Sequence, residues 1–170
     1  MMMMMMMLCI LLQVVFSSNN EQLVAKYLRA AVKHMEKEEY SASLEACENA
    51  IELDPTLSHG YALMGNVLNI QNQWALAASS WRKATELEND NFEFYYHLGF
   101  ALQQMAQDEM NNKKKWKLNT EGMEVLKKAI ALGEVQNASS GHMSMTHSYL
   151  GNLYKSIAVS RISPMYFLCC

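Results

Sequence analysis

Tyr27, Tyr61 and Tyr95 recur at one constant interval, a period of about 34 residues of the kind that repeat proteins show. Ala31, Gly65 and Gly99 keep the same interval, as do Ser43 with Ala77, Ala50 with Ala84, Leu53 with Leu87, and the aromatics Tyr40 with Trp74. A chain that repeats itself at fixed spacing is one supersecondary unit copied along an axis, each copy burying its apolar face on the next. Within the unit, Tyr61-x-x-Met64-Gly65-x-x-Leu68 and Tyr95-x-x-Leu98-Gly99-x-x-Leu102 set large residues three and seven positions apart, on one helix face. His147-x-x-Leu150-Gly151-x-x-Tyr154 is a third copy. Glycine costs a helix stability, so its recurrence between large residues predicts a partner helix crossing too closely for a side chain. Ala31 holds that place in the first copy, and the second helix answers with Ala77, Trp81 and Ala84, a large residue between two small ones.

Composition agrees with packed helices. There are 7 Gly and 2 Pro in 170 residues, with 51% hydrophobic and 18% charged residues, a globular balance with few helix breakers. A net charge of −3 lacks the basic face that nucleic acid asks for. The one basic run, Lys113-Lys114-Lys115-Trp116-Lys117, reads as a solvated loop. Cys9, Cys47, Cys169 and Cys170 have neither zinc-site nor disulfide-framework spacing, so the repeats need no oxidising compartment and a cytoplasmic location is expected. Residues 1–21 form an apolar leader that turns polar at Ser17-Ser18-Asn19-Asn20 and carries no Lys or Arg. It reads as a signal peptide, a short membrane anchor or an unstructured extension. If residues 1–17 act as a signal peptide, the chain enters the secretory pathway, and membrane contact is expected only if the leader is kept as an anchor.

The period and the Gly motif resemble the tetratricopeptide repeat family over residues 22–157. The resemblance implies an all-α, right-handed solenoid of antiparallel helix pairs, about three repeats plus one extra helix. The repeats fall at 24–57, where Pro55 stops the second helix, then 58–91 and 92–132, with a half repeat at 144–157 and a tail at 158–170. Gly99 and Ala129 stand eleven positions further apart than Gly65 and Ala84, so repeat three holds an insertion of that length. It is placed near 106–118, as an exposed excursion. The step from Ala129 to Gly151 is likewise seven positions longer than the period predicts, and this excess reads as a loop over Gly133–Gly141.

No reaction is legible. His34, His59, His97, His142 and His147 form no metal pair at helical spacing, and no phosphate loop or nucleophile elbow occurs. No catalysis, cofactor or metal is expected. The resemblance instead implies a concave groove lined by the first helix of each repeat, with Arg29, Asn66, Tyr96, His97, Phe100 and Asn152 as candidate partner-binding residues. Asn66 and Asn152 share one slot. An amide there can donate to and accept from a peptide backbone, although Asn is equally tolerated on a bare helix surface. Tyr96 and Phe100, four apart on one face, either anchor a ligand or pack against the insertion or the tail. One subfamily grips the terminal carboxylate of heat-shock chaperones with Lys, Asn, Asn, Lys and Arg. The matching slots hold Leu28, Val32, Leu63, Glu93 and His97, or, counted one repeat later, Ala62, Asn66, His97, Met145 and Tyr149. Neither set supplies the positive charge a carboxylate needs. The expected function is an adaptor binding an apolar peptide or amphipathic helix of another protein. Two alternatives stand beside it: a subunit that self-associates through the apolar end at Ile157–Leu168, giving a homo-oligomer, or a fragment of the targeting domain of a larger enzyme.

Overall fold

A computed structural model describes the backbone of residues 2–166 and the side chains of residues 19–158. It contains helices and, among the described residues, no strand: α1 (Met2–Glu36), α2 (Tyr40–Leu53), α3 (Ser58–Ile70), α4 (Trp74–Leu87), α5 (Phe92–Asp108), α6 (Asn112–Val135) and α7 (Ser140–Tyr166). The chain is an all-α solenoid of helix pairs, as the period implied. Three-residue turns at 37–39, 71–73 and 109–111 close each pair, and four-residue links at 54–57, 88–91 and 136–139 join one pair to the next. Glu38 and Asn72 adopt φ of 61° and 59°, and the following amides reach back to end the helices, Glu39 N to His34 O and Gln73 N to Leu68 O, both at 2.9 Å. A left-handed residue followed by such a back-bond is how a helix satisfies its last carbonyls.

The small-against-large seating runs through all three pairs. Cys47, Trp81 and Leu126 are fully buried and face Ala31, Gly65 and Gly99 respectively. A methyl group on Gly65 would lie 2.7 Å from the Trp81 ring, and one on Gly99 would collide with Leu126. Ser43, beside Cys47, donates from Oγ to the Ala31 carbonyl at 2.8 Å. The largest core cluster joins α3, α4 and α5 through Leu68, Ala77, Trp81, Phe94, Leu98 and Leu102. At Gly151 the pattern stops: a Cβ there would meet nothing within 4 Å, and among the described residues no helix crosses it.

Both breaks in the period are helical, which corrects the expected loops. α5 has 17 residues where α3 has 13. Leu126 lies fourteen positions beyond the start of α6, where Trp81 lies seven beyond the start of α4. The insertion therefore lengthens the two helices of repeat three, by four and by seven, and the turn between them stays as short as in the other pairs. Asn111 makes this possible by accepting the amides of Lys113 and Lys114 at 3.0 and 3.1 Å as an N-cap. Likewise only 136–139 of the expected 133–141 loop is non-helical; Gly133 sits inside α6, against Met143 and Phe92. At the chain ends, α1 begins at Met2 and α7 runs to Tyr166, so the backbone of the expected tail continues α7 to that point. The leader and tail side chains, and Cys169 and Cys170, lie outside the described residues. Among the described residues no helix is long and apolar enough to cross a membrane.

Candidate binding groove

The first helices of successive pairs meet around a cavity of about 310 Å³. Leu28 and Val32 of α1 form one wall, Ala62, Leu63 and Asn66 of α3 the middle, and Phe94 and His97 of α5 the other wall, with Trp81 of α4 behind. The His97 ring stacks on Trp81 at 4.8 Å and 14°, and meets the edge of Tyr96 at 4.9 Å. Burial, with a smaller push from His142, lowers the His97 pKa to about 4, so the imidazole is neutral at physiological pH. No Lys or Arg lines the cavity. Glu93 and His59 stand at its rim, and nearby Glu88 accepts hydrogen bonds from Asn91 and Ser58, each at 2.8 Å. Those bonds, Asn91 first, hold the Glu88 carboxyl below its usual pKa.

Of the six candidates, Asn66 and His97 come together in this cavity. Tyr96 is only 7% exposed. Its hydroxyl reaches Met145 Sδ at 3.3 Å and its ring stacks on Tyr149 at 5.9 Å, while burial raises its pKa to about 12. Phe100 lies between Tyr149, at 5.4 Å, and the edge of Trp74, at 5.7 Å. α7 therefore lies over Tyr96 and Phe100 through its Met145 and Tyr149. Arg29 is exposed on α1, in a shallow surface lined by α1 residues alone, among them Glu21 and Lys26. Asn152 is exposed on α7, outside the lining of the cavity. Sequence reasoning missed Trp81 as the back wall. Its position between Ala77 and Ala84 marks it as a packing residue, and nothing in that spacing reveals that one ring face is left for His97. Among the described residues no group of three or more His, Cys, Asp or Glu is placed to hold a metal ion.

A family profile described as TPR repeat matches residues 65–105, from the Gly65 crossing through most of α5. That segment matches the tetratricopeptide repeat, and the described helices share the fold of tetratricopeptide-repeat domains. Among curated proteins, the rat mitochondrial import receptor subunit TOM70 is 28% identical over 116 residues, 68% of this chain and 17% of that subunit. The chain thus spans less than a fifth of the length of that relative. Among solved structures, the TPR2B domain of yeast Sti1 in complex with pHsp70 superposes with a TM-score of 0.66 at 16% identity, over 79% of this chain and 98% of that one. The first TPR of Spaghetti (RPAP3) bound to the HSP90 peptide SRMEEVD gives 0.65 at 12% identity, over 81% and 94%. At these identities the likeness is one of fold.

Proposed function

We propose that this tetratricopeptide array is a protein-binding adaptor whose groove takes an uncharged, apolar segment of another protein, such as one face of an amphipathic helix. The observation that carries this is the cavity shared by α1, α3 and α5: Leu28, Val32, Leu63 and Phe94 wall it, and no Lys or Arg lines it. The Sti1 and RPAP3 domains share the fold and hold chaperone peptides. An acidic peptide entering this cavity meets the carboxylate of Glu93 and a neutral imidazole, which repels rather than clamps it. Asn66 offers a donor and an acceptor to the partner's backbone. The test is affinity capture from lysate, comparing wild type with Val32→Asp, at a wall residue that is 39% exposed. A charge set on the apolar wall should abolish partner recovery while the circular dichroism melt moves little. An acidic chaperone-tail peptide should show no heat of binding in calorimetry. Equal recovery by both proteins, or tight binding of the acidic peptide, would overturn the reading.

Self-association is a second reading, favoured by the far end of the array. Gly151 is open, and Met145 and Tyr154 of α7 are 50% and 48% exposed. It requires a solution mass of twice 19.4 kDa in light scattering, reverting to the monomer with Tyr154→Glu.

A further inference from the structure

We propose that the elbow between α5 and α6 is a docking point for an anionic membrane surface, which it meets with Lys113, Lys114 and Lys117 around exposed Met110 and Trp116. This site is separate from the groove and does not depend on it.

The lengthening of α5 by four and of α6 by seven carries this elbow outward by about one and two helical turns, so it projects beyond the other two hairpins. At its tip Met110 is 95% exposed and Trp116 47% exposed. Lys113, Trp116 and Lys117 share one helix face. The first turn of α6 holds no acidic residue, so the positive end of the helix dipole and the lysines repel one another. Asp108 and Glu109 are the elbow's only carboxylates against its four ammonium groups. The rest of the chain is acidic enough to leave a net charge of −3, which turns this corner toward a negative surface first.

Charge alone would suit any polyanion. Shape and side-chain type narrow it. The elbow is convex, and a peptide is gripped in a concavity. A headgroup layer yields around a projection, and an indole and a thioether at its tip match the apolar-to-polar boundary beneath. Lysine stems can lie along that boundary while their charges reach the phosphates.

Co-sedimentation of the full chain with phosphatidylcholine vesicles, with and without about 30% phosphatidylserine, tests this. Wild type should partition onto the anionic vesicles and be released by salt. Lys113→Glu combined with Lys114→Glu and Lys117→Glu should lower that partitioning about tenfold or more. The triple variant should keep its helicity, because acidic residues suit a helix start. Trp116→Ala should weaken binding while leaving its salt dependence unchanged. Equal partitioning of wild type and the triple variant, whether absent in both or driven in both by another segment, overturns the proposal. So does a preference for polyglutamate or for RNA over vesicles, which would make the elbow a site for an acidic protein or for nucleic acid.

Discussion

At Gly65 an added methyl group would stand 2.7 Å from a fully buried indole, whereas at Gly151 it would meet nothing within 4 Å. The same substitution therefore has opposite consequences at two positions of one sequence motif. Gly65→Ala must displace Trp81 or α3, at a cost of about 1–3 kcal/mol. Gly151→Ala adds helix propensity without a clash and should stabilise by about 0.5–1 kcal/mol. For a domain of this size each kcal/mol moves the melting temperature by about 2–4 °C, so the two variants should melt on opposite sides of wild type. Shifts of the same sign would mean that the crossing at Gly65 is misplaced. His97 gives a second test. The unfolded chain takes up a proton at this ring near pH 6.5, the folded chain near 4. Between those values the unfolded state binds more protons, so stability falls as pH drops from 6.5 to 4 and is unaffected by this group above 6.5. The loss is at most about 3 kcal/mol. Urea titrations at pH 7 and pH 4.5 should show it, and His97→Phe, which keeps a ring on Trp81 but cannot charge, should shrink it. An identical acid loss in the variant would assign the effect elsewhere.

At the scale of the helix, what was legible was whatever one strand of sequence can announce. Gly65 and Gly99, small among large residues, gave away the crossings, and Ala77 with Ala84 marked Trp81 as the residue that seats there. Leu126 was harder to see, because it follows Gly99 at a much wider spacing than Trp81 follows Gly65. The stretches 106–118 and 133–141 read as loops because the exposed face of a helix and a loop have the same polar composition. The difference lies in the cap at Asn111 and in buried positions such as Asn119, whose amide donates to Ser156 at 2.8 Å. The groove was legible as a row of slots, and Asn66 and His97 do meet in it. The fate of Tyr96 and Phe100 was not, because it depends on where α7 lands. Excising residues 105–108 together with 112–118 should leave both helices of repeat three in register, since four and seven residues are close to one and two whole turns. The trimmed protein should stay soluble and helical with a modestly lower melting temperature, because Met105 and Leu118 pack on the core. Loss of helicity well beyond the excised residues in circular dichroism would show that the extension is structural.

Across the whole molecule, stability should be uneven. A solenoid holds each repeat only through its neighbours. The α3–α5 region shares a cluster built on Trp81, Phe94 and Leu102, whereas α1 and α2 meet through Ala31, Ala46 and Cys47. Small side chains bury little apolar area, so the first pair should open ahead of the middle one. Hydrogen exchange should therefore be faster in residues 22–53 than in 62–102, and uniform protection would contradict this ranking. The step from hole to seat is the same in the first two pairs and far longer in the third, yet Leu126 still finds Gly99. Added length that comes in whole turns leaves every side chain pointing where it did. Hairpin three thus behaves as a telescoping strut: its base stays seated while its tip advances in steps of about 5.4 Å. How far a group carried on that tip stands from the groove is then a matter of how many residues are spliced in, and no residue of the core has to change to alter that reach.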